Sequence, residues 1–371
     1  MGFDEREEVI GCGAVESGDA SAFGGFDGVG DVDVSGAEEC PADPWAAFEA
    51  LAAETAPAGV CCKDGVCMMV GTDFGAQLRF YAGEENVFEN VPLGEYTTFK
   101  IGGPAEWLVV PERVNDVEYI QQCCAQHGVD LHVLGLGSDL LVSDEGVRGV
   151  VLRIAENLSA IRVEGTKMIV EAGASNAEVA EAACAAGLSG YEFACGIPGT
   201  IGGAAIMNAG AYDGEFKDVA VALTCLTPEG AVVEVSAQEA DWSYRHSMMD
   251  DSGYIVLEAV LQLREGDSGE IRARMDDLQA RRAEKQPLEM PSAGSTFKRP
   301  EGYFAGKLIQ DAGLMGHAVG GAQVSTKHAG FVVNAGGATA ADVRELISQV
   351  QERVLVESGV RLEPEVRMWG F

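Results

Sequence analysis

From Val91 onward the apolar positions alternate between a two-residue and a 3.6-residue period. AEWLVV (105–110) reads as a strand, and residues 115–127 carry Val117, Ile120 and Cys124 on one helical face before Gly128 stops the helix. LHVLGLG (131–137) is the next predicted strand, and Ser175-Asn176-Ala177-Glu178 is a capping box opening a helix that runs to Gly187. Further strands are predicted at 221–226, 231–235, 254–263 and 331–334 (FVVN), with a charged amphipathic helix at 268–286. A helix over 339–357 gathers Val343, Leu346, Ile347, Val350 and Val354 on one stripe. This mixture predicts an α+β or α/β chain with at least two sheets and no internal repeat.

The first 45 residues lack that periodicity and hold twelve Asp or Glu against one basic residue, Arg6, which predicts a solvated, disordered tail. Between Pro44 and Asn90 the pattern is mixed, with a short helix expected at Trp45–Glu54. Cys61, Cys62 and Cys67 cluster there, but no fourth ligand stands at a suitable spacing, so no metal is assigned. The whole chain, 371 residues with 47% hydrophobic content, has room for two or three domains with real cores. Its net charge of −34 opposes a nucleic acid or an anionic membrane as partner, so any anion must be held by local basic groups and backbone amides. Ten cysteines in a chain opening MGFDEREEVI, without the pattern of a signal peptide, read as reduced thiols of a cytoplasmic protein. No apolar run reaches the roughly 18 residues of a membrane span.

Two glycine-rich stretches carry candidate chemistry. In Gly135-Leu136-Gly137-Ser138-Asp139, Leu140 replaces the third glycine of a dinucleotide fingerprint and no helical pattern opens. That leaves either a glycine turn between strands or a loop whose bare amides and Ser138 hydroxyl form an anion nest. The run from Gly196 through Ala205, continuing to Tyr212, implies a backbone that closely approaches something, a flat cofactor ring or a tightly packed strand. Gly302 to Lys307 resembles a nucleotide-triphosphate loop but fails on spacing.

Ser295-Thr296-Phe297-Lys298 is a literal S-x-x-K, the acylation signature of serine β-lactamases. There the motif opens a helix, whereas here Pro300 follows two residues after Lys298 and disfavours one. The partner motifs S-D-N and K-T-G are absent as well. What remains is a small-residue loop delivering one hydroxyl, suited to protonating a developing carbanion if a hydride donor lies nearby.

The chain resembles the UDP-N-acetylenolpyruvoylglucosamine reductases of peptidoglycan synthesis over about residues 91–371. The likeness rests on YTTFKIGGPA (96–105), the Gly135 loop, Tyr191 to Tyr212 with GIPGTIGGA at its centre, YRHS (244–247), SAGSTFKRP (292–300), GGAQVSTKHAGFVVN (320–334) and EPEVR (363–367). It implies an α+β architecture: a vanillyl-alcohol-oxidase-type FAD-binding domain of two α/β subdomains plus a smaller α+β substrate domain. The expected division is 1–90 as a largely disordered acidic extension, 91–264 as the FAD domain and 265–371 as the substrate domain.

The implied reaction carries hydride from NADPH through FAD to the vinyl terminus of the enolpyruvyl ether, giving UDP-N-acetylmuramate in a cytoplasmic monomer. By motif position Ser295 is the proton donor, and Arg245 with Glu365 polarises the substrate carboxylate and steadies the enol. FAD contacts are expected from Gly135, Gly137, Ser138, Gly196, Ile197, Pro198, Gly199, Thr200, Gly202, Gly203 and Ala204. Lys298, Arg299, Lys307 and Arg367 are the candidates for the UDP diphosphate. The short span from Arg245 to Ser295 resembles the family form without a tyrosine-bearing loop. Asp139 departs from the family's usual glycine-Ser-Asn by putting a carboxylate near a diphosphate. The alternatives are another FAD oxidoreductase on the same scaffold or an inactive flavin-binding regulator.

Overall fold

The computed structural model describes residues 73–371, together with the backbone of a hairpin pairing Gly59–Lys63 with Val66–Val70. The expected tail through residue 45, the expected helix at Trp45–Glu54 and the side chains of Cys61, Cys62 and Cys67 lie outside the described residues.

The first layer is a four-stranded sheet in the order Val87–Pro92, Pro104–Val109, Val147–Arg153, Leu131–Leu134. Its first pair is antiparallel and the other two are parallel, as a strand–helix–strand crossover requires. The helices Phe74–Ala82 and Val114–His127 supply Leu78, Val117 and Ile120, all fully buried. Gly128 ends the second helix in the left-handed conformation, as its position in the pattern predicts.

A second, wholly antiparallel sheet runs Val232–Ser236, Ala220–Leu226, Ile255–Gln262, Lys167–Glu171, Ile161–Glu164. The Ser175 side chain accepts from the Glu178 amide and Glu178 reaches back, so the predicted capping box forms. The third unit is the sheet Ser292–Ser295, Phe331–Asn334, Ala322–Val324, Ala318–Val319. Helix Ala340–Ser358 lies in the same core, burying Val343, Leu346, Ile347, Val350 and Val354.

Packing divides the chain differently from the sequence expectation in three places. Residues 74–92 form a helix and an edge strand of the first sheet, so the stretch 73–90 is folded structure rather than part of a disordered extension. Helix Ser268–Lys285 turns Ile271, Met275 and Leu278 into the core shared by the first two sheets, apart from the core of the third, although the expected division sets it after residue 264. Its charge-rich sequence hides that narrow stripe. Finally, Arg367–Trp369 pairs in parallel with Leu140–Val142, returning the C-terminal end to the glycine loop. We expect Leu78→Ala to cost about 2–5 kcal/mol in chemical denaturation, because its side chain is fully enclosed. A change under about 0.5 kcal/mol would mean that the 74–82 helix is dispensable.

Candidate active site

The segment 292–298 is built around one residue, Thr296. Its amide donates to Gly330 O (2.9 Å), its hydroxyl accepts from Val332 N (2.9 Å), and its carbonyl accepts from Glu365 N (2.8 Å). Lys298 N adds a bond to Glu363 O (2.9 Å), so 296–298 and 363–365 run as a short antiparallel pair centred on the bridge between Phe297 and Pro364. Between Ser292 and Ser295 the register against Val333 and Phe331 slips by one residue at Gly294, which adopts φ +74°. The bulge turns Ser295 out as an exposed residue beside Glu365. No helix starts at Ser295, in agreement with the reading of Pro300.

Arg245 reaches the same place from the other side. It sits at φ +56°, a left-handed conformation uncommon for arginine. The turn is closed by Ser243 N–H to His246 O (3.1 Å) and fixed on both flanks. Asn208 Nδ2 donates to Ser243 O (3.0 Å), Trp242 Nε1 to Ala205 O (2.7 Å), and Ser247 Oγ to Ile206 O (2.8 Å). Held this way, Arg245 Nε donates to Glu365 Oε1 at 2.6 Å, with the two side chains 20% and 10% exposed. Burial works to lower the pKa of the guanidinium, but the charge and hydrogen bond of Glu365 outweigh it and the net direction is upward.

Two cavities meet at strand Ser292–Ser295. The larger, about 980 Å³, is lined by the Tyr96–Thr98 segment, Ser138, Gly196, Pro198, Arg282 and, from this strand, Ser292 and Gly294. The smaller, about 330 Å³, holds Ser295, Arg245 and Glu365 together with Arg299, Lys307 and Lys327. Thr98 ties the wall to the Tyr96–Thr98 segment by donating from Oγ1 to Ser292 O (2.7 Å). A single strand therefore borders one cavity with Ser292 and Gly294 and offers the Ser295 hydroxyl to the other.

The larger cavity fits a dinucleotide. Its volume lies at the upper end of the roughly 300–1,000 Å³ typical of small-molecule sites. Arg282, whose pKa burial lowers, lines it with no carboxylate partner among the described residues, so an anion there would be matched. At Gly137, with φ +60°, an added Cβ would lie 2.3 Å from Tyr96 O, so the loop closes on the Tyr96–Thr98 segment only as glycine.

The expected FAD residues divide into two groups. Ser138, Gly196 and Pro198 line the cavity, with Ser138 Oγ donating to Pro198 O (3.1 Å). Gly135, Gly137, Gly199, Thr200, Gly202, Gly203 and Ala204 are not among its lining residues. A Cβ on Gly135 would sit 2.6 Å from Thr200 Oγ1, and Thr200 caps helix Ile201–Met207 by accepting from Gly203 N. Gly202 lies against Ala172, Ala204 is buried, and Ile197 packs against the core.

The expected phosphate residues also divide. Arg299 and Lys307 line the smaller cavity, Lys307 while paired with Asp311. Lys298 does not line it and lies 4.0 Å from Glu363. Arg367 does not line it either: its guanidinium is paired with Asp250 at 2.8 and 2.7 Å. A basic residue in an acidic chain points to an anion, but a carboxylate partner 117 residues away has no local signature. Lys327, Tyr244 and Arg282 are functional candidates that sequence reasoning misses. The first two stand inside the quoted motifs; Arg282 is one of several arginines in a charged helix and has no signal of its own.

Comparison with known proteins agrees with this layout. The family description "UDP-N-acetylenolpyruvoylglucosamine reductase, C-terminal domain" matches residues 286–369, and "FAD binding domain" matches 105–236. The UDP-N-acetylenolpyruvoylglucosamine reductase of Pediococcus pentosaceus is 50% identical over 287 residues, 77% of this chain and 95% of that protein. That of Limosilactobacillus fermentum is 51% identical over 287 residues, with the same coverage of both. The solved reductase of Thermus caldophilus superposes with a TM-score of 0.67 at 38% identity, covering 76% of this chain and 98% of its own.

Gly137→Ala is expected to cost more than about 1 kcal/mol, seen as a thermal midpoint lowered by at least about 2 °C. The same variant should purify with less bound flavin, judged by visible absorbance per protein. An unchanged midpoint and flavin content would show that the loop relaxes without loss.

Proposed function

The chain belongs to the UDP-N-acetylenolpyruvoylglucosamine reductase family, and from that premise we propose that Arg245, Ser295 and Glu365 carry the second half of its reaction. The protein is an FAD-dependent oxidoreductase that uses NADPH to reduce UDP-N-acetylglucosamine-enolpyruvate to UDP-N-acetylmuramate for peptidoglycan synthesis. The observation that carries the residue assignment is the shared wall: Ser292 and Gly294 border the larger cavity while Ser295 borders the smaller.

FAD, held in the larger cavity, would supply two-electron hydride chemistry between NADPH and the enolpyruvyl group. Tyr96, Thr97, Thr98, Ser138, Gly196 and Pro198 would hold it, and Arg282 would offer charge to an anionic part of it. Reduction of the vinyl terminus leaves an electron pair at the α-carbon, delocalised into the adjoining carboxylate. Arg245 meets that carboxylate: its Nε is occupied by Glu365, which leaves the two Nη groups as a planar fork for the substrate. The interaction strengthens as charge builds, because the pair is largely screened from water. Ser295 then gives its hydroxyl proton to the α-carbon, and its exposure lets solvent return one to the oxygen. Arg299, Lys307 and Lys327 make the smaller cavity locally basic in an acidic protein, which suits a diphosphate.

We place the enzyme in the cytoplasm, where NADPH and nucleotide sugars are made, and take it to act as a monomer because one chain lines both cavities. Among the described residues no helix is long and apolar enough to cross a membrane.

Ser295→Ala should retain NADPH-driven bleaching of the bound flavin and lose about 10²–10⁴-fold in its reoxidation by the enolpyruvyl substrate. Reoxidation at the normal rate without the hydroxyl would remove Ser295 from the role. Arg245→Lys keeps the charge but not the fork, and we expect kcat/KM for the enolpyruvyl substrate to fall by about 10²-fold with the NADPH half unaffected. An equal fall in both halves would point to a folding defect instead.

A further inference from the structure

Behind the Arg245–Glu365 pair the charges do not balance. Arg245 is committed to Glu365 at 2.6 Å, and Arg367 to Asp250 at 2.8 and 2.7 Å. Asp139 is the carboxyl left over. Its carbonyl accepts from Arg367 N (3.1 Å), but Oδ2 is buried and, among the described residues, has no hydrogen-bond partner. The groups acting on it come from two other segments, Glu365 and Arg367 from the C-terminal end and Arg245 from the 243–246 turn. Asp250, on helix Met248–Ser252, neutralises Arg367.

Ionised, Asp139 would add a third negative charge to a place holding two guanidiniums already matched, with one oxygen cut off from water. It would also repel Glu365 and draw on Arg245, loosening the contact that sets the fork. Protonated, the same carboxyl is uncharged and carries an O–H donor. We propose that Asp139 is a positioning residue that works as a neutral carboxylic acid, keeping the Arg245–Glu365 pair in register and releasing it when alkaline pH removes the proton. The inference rests on the role given above to Arg245 and Glu365. Burial is the main cause of a pKa pushed up to about 8, followed by the charge of Glu365, with Arg367 and Arg245 opposing.

The sign of the stability effect follows from where the proton is held. Below about pH 4 the carboxyl is protonated both folded and unfolded, and between about 4 and 8 only the folded chain keeps the proton, so stability falls as pH rises. Above about 8 the penalty is constant. Asp139→Asn removes this titration while keeping size and polarity. In the flavin-loaded protein, the thermal midpoint of Asp139→Asn minus that of the wild-type chain should therefore widen from pH 4 to pH 8 and then level. A pH-independent difference would overturn the neutral acid, and it would do so whatever the Ser295 and Arg245 variants show. For the role in the reaction, reoxidation by the enolpyruvyl substrate should fall through a midpoint near pH 8 in the wild-type chain, with no such limb in NADPH-driven bleaching. The limb should be absent from Asp139→Asn; its survival there would overturn the positioning role. Should that variant not fold, infrared spectra of the wild-type protein decide the protonation state. A protonated-carboxyl band at pH 7 that vanishes above about pH 8 supports the proposal, and its absence at pH 7 overturns it.

Discussion

Three hydrogen bonds at Thr296 fix the relation on which the chemistry depends. They pin strand 292–295 to 331–334 on one side and the 363–365 segment on the other, and so set Ser295 and Glu365 beside one another although 70 positions separate them in the chain. A buried side-chain hydroxyl and two main-chain groups are satisfied within one residue, which leaves little freedom for the wall to shift. The proposed reaction calls for a thin wall, because a hydride delivered from one cavity and a proton delivered from the other would have to reach neighbouring carbons of one substrate. The bulge at Gly294 meets that demand with one extra residue, by turning the hydroxyl away from the flavin side.

The acidity of the chain bears on this site through its exceptions. A protein of net charge −34 repels an anionic nucleotide sugar at long range, so binding depends on short-range basic groups inside the Debye length. Arg299, Lys307 and Lys327 are collected at the smaller cavity, while Arg367, equally conspicuous in the sequence, is used up by Asp250. Isolated basic residues are therefore poor guides to an anion site, since a carboxylate distant in sequence can claim any of them.

That contrast explains which features are legible in the sequence. Elements with a strong period or cap, such as the 175–178 box, the 114–127 helix and the 340–358 helix, form within a residue or two of their predicted bounds. The rejection of S-x-x-K stands on Pro300, a local steric fact, and the structure agrees with it. The vanillyl-alcohol-oxidase-type layout comes from the motif resemblance rather than from periodicity, which alone leaves α+β and α/β open. Hidden from sequence are the placement of helix 268–285, whose three buried residues are lost among charges, and the return of 367–369 to strand 140–142. Both depend on which apolar face is left for them after the rest has packed.

Arg245 brings these strands together. A left-handed backbone at a non-glycine residue costs of order 1–3 kcal/mol and persists only where its surroundings over-determine it. Here Asn208, Trp242 and Ser247 supply that constraint, and each bonds to a backbone carbonyl of the glycine-rich helix 201–207 or of the turn itself. That helix thus does more than follow the cavity-lining loop. Its Ala205 and Ile206 carbonyls anchor the turn that bears Arg245, so the segment continuing from the cavity-lining Gly196 and Pro198 also helps set the angle at which the guanidinium meets Glu365. A substitution that shifts this helix would then reach Arg245 through those two carbonyls without touching the cavity lining.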